Sequence, residues 1–110
     1  MHSIVGALLV VAAFAITTAP ARAAEPDIVA KGLTLAREQC AVCHLLGKEK
    51  GLSSLPTAPP FADIANSRGI TAAALRVILN TPHESMPNLV VRGEVADSII
   101  AYILSLKHGP

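Results

Sequence analysis

The 110-residue chain reads as an all-α domain of three to four helices. Apolar residues recur at helical spacing in three separate stretches, no alternating apolar and polar run is long enough for a strand, and Gly and Pro clusters separate the helical stretches. The first stretch of the chain stands apart from this pattern. Ile4 to Ile16 is continuously apolar, Thr17 to Pro20 breaks the run, and Ala21-Arg22-Ala23 has the small-x-small form of a cleavage site. Residues 1–23 are therefore expected to be a secretory signal peptide, although only His2 and the α-amino group supply positive charge ahead of the apolar run. The run is shorter than the roughly 20 residues that a membrane span requires. Export to the periplasm follows, with residues 24–110 as one mature domain.

Helix signals open that domain. Pro26 suits a first helical position, Glu25 and Asp27 suit the positive end of the helix dipole, and Ile28, Val29, Gly32, Leu35 and Ala36 recur at helical spacing into Cys40. Gly47, Gly51, Pro56, Pro59 and Pro60 then impose a wrapping loop. Phe61 to Asn66 forms a short helix closed by Gly69, and Thr71 caps a helix over Ala72 to Asn80 that carries Leu75, Ile78 and Leu79 on one face. Pro82 stops it. Glu94 to Lys107 is the clearest helix, with Val95, Ile99, Tyr102, Ile103 and Leu106 as its apolar stripe and Gly109 just beyond its end.

Composition narrows the function. Much of the 52% hydrophobic share belongs to the leading segment, so it does not mark a membrane protein. Of the nine basic residues, Arg22 precedes the cleavage point, and all eight acidic residues follow it, so the mature domain is balanced in charge. With no basic block and no interleaving of basic and aromatic residues, nucleic acid is not an expected partner. A domain of this size has a marginal core of its own, which a buried cofactor would complete.

Cys40-Ala41-Val42-Cys43-His44 supplies the chemistry. This C-x-x-C-H run contains the only two cysteines of the chain, and it is the signature of covalent haem attachment. Two thiols three positions apart on a helical turn can each add across one of the two vinyl groups on a porphyrin edge, which leaves His44 under the iron as proximal ligand. Three other readings use the same residues. A Cys40–Cys43 disulfide is one, a thioredoxin-like redox pair is another, and half a zinc site is the third. A closed zinc site wants four ligands, and the mature chain has two Cys and the scattered His44, His83 and His108. The redox pair wants alternating strands and helices, which the pattern lacks.

A sixth ligand is also legible. Beyond the initiator, Met86 is the sole methionine, in the Pro-flanked segment Glu84-Ser85-Met86-Pro87-Asn88 between the last two helices. A thioether there can return over the opposite haem face and favour ferrous iron. A core-filling Met is the ordinary alternative, and His83 is a rival ligand. His108 reads as a solvated residue at a helix C-terminus. With both axial positions filled by protein, no open iron site remains for a substrate, so the reading is an electron carrier and not an enzyme.

These residues resemble those of the class I cytochromes c, small single-haem electron carriers, over essentially the whole mature chain. The resemblance implies a cytochrome c fold, helices wrapped around one covalent haem c. It implies that Gly32 lets the first and last helices cross closely with Tyr102 at the contact. It also implies that a prolyl carbonyl, of Pro60 or Pro59, accepts the His44 Nδ1 hydrogen bond. Ala36 stands where the family often has an aromatic residue, and there is no Trp to meet a haem propionate. Arg68, Arg76, Arg92 and Asn88 are candidates for that task. Expected partners are redox proteins: an oxidase, a cytochrome bc-type complex or a periplasmic dehydrogenase. The chain is expected to be a monomer that meets membranes only through those partners. Docking is expected at the haem edge near Ala41 and Val42, with Lys48, Lys50 and Arg92 as candidate steering charges. Two alternatives remain: a ligand-binding or peroxidase-like haem protein with a labile sixth site, and the small cytochrome subunit of a dehydrogenase.

Overall fold

A computed structural model of the chain describes residues 26–49, 51–82, 86 and 89–109. The expected signal peptide, His83, Asn88 and Lys50 lie outside the described residues. Among those described there are four α-helices and no β-strand: α1 (Pro26–Gln39), α2 (Phe61–Asn66), α3 (Ala72–Asn80) and α4 (Gly93–Ser105). The all-α reading holds, with each helix within two residues of its expected bounds.

α1 starts on Pro26, carries Asp27 in its first turn and Arg37 in its last, so both ends complement the helix dipole. Its regular bonding ends one residue before Cys40. Thr71 caps α3 by accepting a hydrogen bond from the Ala74 amide at 3.1 Å. Gly69 does not close α2. Ser67 is the cap residue there, its amide donating to Ile64 O, while Gly69 has φ of +79° and turns the chain toward α3. Gly109 does not close α4 either. The Leu106 and Lys107 amides take the carbonyls of Ile103 and Leu104 at 3.0 and 3.2 Å, and this three-residue bonding tightens and ends the helix. Asn66 then clamps the tail to α2. Its Nδ2 donates to Leu106 O at 3.3 Å and its Oδ1 accepts from the His108 amide at 2.9 Å.

α4 is the hub against which α1, α2 and α3 all pack. Its Ala96, Ile99, Ile100, Tyr102 and Ile103 are buried, and Ile99 is 0% exposed. The α1–α4 crossing is the most extensive of these contacts, and Gly32 makes it possible. A Cβ on Gly32 would collide with the Ser98 carbonyl and come within 2.8 Å of Tyr102 Cβ. An Arg76–Asp97 ion pair bridges α3 and α4. Being exposed, it contributes less than about 1 kcal/mol; the buried side chains dominate.

Candidate cofactor site

The C-x-x-C-H residues continue the coil of α1 with mixed bonding, in which α-helical bonds alternate with wider and tighter ones. Cys40 N donates to Ala36 O at 2.8 Å, and Ala41 N reaches the same carbonyl at 3.1 Å, a turn one residue wider than the α-helix. The His44 amide closes back on Cys40 O at 2.9 Å. Cys40 is buried, Cys43 and His44 are half-buried, and Ala41 and Val42 face solvent. Both cysteines are free thiols, so the structure does not contain the disulfide of the alternative reading. Burial, reinforced by neighbouring Cys43, pushes the Cys40 thiol up to about 11. It is a protonated thiol at neutral pH.

His44 is held by direction as well as by position. Its Nδ1 is 2.7 Å from the carbonyl of Pro59, which resolves the choice between Pro59 and Pro60. Pro60 instead occupies the N-cap of α2. A carbonyl accepts only, so Nδ1 carries the proton and Nε2 keeps its lone pair for a metal. The ring packs against Phe61, centroids 5.2 Å apart and planes at 52°. Phe61 in turn packs against Tyr102 at 6.4 Å.

Cys40 and His44 face an open-mouthed cleft of about 230 Å³. Leu75, Ile78 and Leu79 of α3, Ile103 of α4, and Phe61 and Ile64 of α2 supply further walls, and Met86 with Leu89 supplies another. Among the described residues, no Asp, Glu, Lys or Arg lines the cleft. Met86 is half-buried and packs on the core. The structure thus brings His44, Cys40 and Met86 to one cavity, while Cys43, half-buried, is not among its lining residues. An apolar cavity with a thiol, an imidazole whose Nε2 is unengaged, and a thioether fits a haem: apolar walls for the macrocycle and soft donors for iron. Among the described residues no three His, Cys, Asp or Glu converge as a metal-holding group.

The charged candidates lie elsewhere. Arg76 is engaged by Asp97, and Arg68, Arg92 and Lys48 are exposed and outside the lining. His108 is exposed, as expected. Two residues at the site were not singled out by sequence for what they do. Ser53 Oγ accepts from the Leu45 amide at 3.0 Å, and the Tyr102 hydroxyl donates to Leu46 O at 2.7 Å. Burial raises the Tyr102 phenol, Glu49 adds to the rise, and Arg37 opposes it. Ser53 lies in the loop legible only as Gly and Pro punctuation, and nothing in its neighbourhood marks it.

Comparison with known proteins gives the family. Across 107 residues the chain is 31% identical to cytochrome c-552 of Bradyrhizobium diazoefficiens, a match covering 97% of this chain and 99% of that protein. The chain belongs to the c-type cytochromes, haem proteins that transfer electrons to and from redox partners. No protein-family model matches the chain, and no solved structure matches it. Among the described residues no helix is long and apolar enough to cross a membrane.

Proposed function

We propose that residues 24–110, freed from the signal peptide 1–23, hold one haem c through thioethers from Cys40 and Cys43, with His44 and Met86 as axial ligands. In this reading the protein is a periplasmic carrier of single electrons between redox proteins and not an enzyme. The observation that carries the proposal is the meeting of His44 and Met86 at one cleft whose described walls carry no charged side chain, with His44 Nδ1 bonded to Pro59 O. The bound haem supplies a reversible one-electron Fe(III)/Fe(II) couple. The protein does the rest. Each thiol adds its sulfur and its proton across a vinyl group, so attachment consumes no oxidant. The Pro59 carbonyl holds the His44 ring and raises its donor strength. Leu75, Leu79 and Ile103 exclude water from the cleft, which limits solvent rearrangement when the charge changes. Met86, a weak donor, favours the reduced state.

The test is an optical spectrum of the exported protein in oxidised and reduced forms. A covalently retained, low-spin haem with the weak red charge-transfer band of ferric thioether ligation is expected, and the band vanishes in Met86→Ala. A high-spin ferric spectrum, or carbon monoxide binding by the native reduced protein, overturns the filled sixth site. A low-spin spectrum that Met86→Ala leaves unchanged moves the ligand to His83.

A further inference from the structure

We propose that Ser53 and Tyr102, two residues outside the C-x-x-C-H motif, are positioning residues whose hydroxyls set the direction of the His44 ring by holding the backbone of Leu45 and Leu46. The inference rests on the ligand role given to His44 above. The described residues between 45 and 60 contain no helix or strand, so their backbone groups have no ladder to join, and each must find a partner elsewhere or face water. The structure shows where they go. Leu45 N–H donates to Ser53 Oγ at 3.0 Å, Leu45 O accepts from the Phe61 amide at 2.9 Å, and Leu46 O accepts from Tyr102 Oη at 2.7 Å. The bonds to Phe61 and to Pro59 O use backbone groups that no substitution removes. Those to Ser53 and Tyr102 use side chains.

The geometry closes on itself. From His44 the covalent chain runs through Leu45 to Leu46, whose carbonyl is bonded to Tyr102. From Tyr102 the packing runs back through Phe61, at 6.4 Å, to the His44 ring, at 5.2 Å. Tyr102 stands on α4, between buried Ile99 and Ile103, so its hydroxyl ties the ligand segment to the helix on which the other three pack. Ser53 ties the same segment to the loop that leads to Pro59. Loosening either tie lets the backbone at 45–46 shift and lengthens the Nδ1–H bond to Pro59 O. A histidine with a weaker Nδ1–H bond is a poorer donor to iron, which destabilises the ferric state. The midpoint potential then rises.

The experiment compares haem-loaded parent, Tyr102→Phe, Ser53→Ala, Ser53→Thr and Thr71→Ala by midpoint potential and by exchange of the His44 ring N–H in the ferrous protein. Tyr102→Phe and Ser53→Ala are expected to raise the potential and speed the exchange, and Ser53→Thr to restore both. Thr71→Ala removes the cap of α3, whose hydroxyl accepts from the Ala74 amide and not from the His44 segment, and is expected to lower stability while potential and exchange stay at the parental value. Potentials and exchange rates at the parental value in Tyr102→Phe and Ser53→Ala, whatever their melting temperatures, overturn the proposal and leave the function standing. A parent protein without covalent haem overturns the function, and the proposal falls with it.

Discussion

His44 sits in a segment whose polar groups are bonded, one after another, to distant parts of the chain, whereas the Met86 side chain meets the same cleft through apolar packing on the core. On the His44 side, Pro59 O, Ser53 Oγ, the Phe61 amide and the Tyr102 hydroxyl hold the ring and the next two residues within 3.0 Å bonds or shorter. On the Met86 side, Met86, Leu89 and Val91 pack on the core, and the Val91 amide donates to Leu79 O at 2.8 Å. Hydrogen bonds weaken steeply with angle, so they fix direction. Apolar packing fixes position and tolerates rotation, and Met is the most adaptable of the apolar side chains. A ring whose lone pair must point at one atom needs the first kind of support. A thioether with three rotatable bonds manages with the second.

The contrast is broken most completely by Phe61→Ala. It empties a buried site and removes the ring that His44 and Tyr102 share, at a cost of about 3–5 kcal/mol, read by thermal or denaturant unfolding. Gly32→Val attacks the frame on which both sides hang. A side chain driven into the Ser98 carbonyl separates α1 from α4 and is expected to cost about 3 kcal/mol by the same assay. Met86→Leu sharpens the contrast, because it nearly conserves volume. Stability of the unloaded chain should change by less than about 1.5 kcal/mol, while the red charge-transfer band of the loaded protein is lost. A Leu variant that keeps the band would return Met86 to the role of core filler.

Two smaller effects complete the set. Thr71→Ala, which unseats the Ala74 amide at the start of α3, should cost about 1 kcal/mol in unfolding without altering the spectrum. Tyr102 adds a pH dependence. Its folded value is raised by burial and by Glu49 against the opposing Arg37, so the phenol's contribution to stability is whole below its unfolded value, near 10. That contribution is lost as pH climbs through the higher folded value, because a phenolate is costly to bury and donates nothing to Leu46 O. Tyr102→Phe should flatten the alkaline limb of the stability profile.

How much of this was legible depended on the range of the interaction. α3 was readable to the residue, since Thr71 and Pro82 act on their immediate neighbours. The end of α4 was not, because Asn66, from another helix, receives its tail, and Gly109 had no part in it. Candidate ligands were readable because C-x-x-C-H is a local spacing and Met86 had no competitor of its own type. Arg76 was open as a propionate partner until its distance to Asp97 on another helix was known. Ser53 was invisible, since a loop serine becomes informative only once the amide it meets is known.

By itself, the sequence determined the helical class, the order and approximate bounds of the helices, and the candidate residues for holding a haem. These follow from periodicity, caps and covalent spacing, which act over a few residues. Only the tertiary structure decided that Pro59 and not Pro60 holds His44, that Tyr102 ties α4 to Leu46, and that Met86 and His44 share one cleft. Those outcomes depend on groups far apart along the chain, which come together only when α1, α2 and α3 pack on α4.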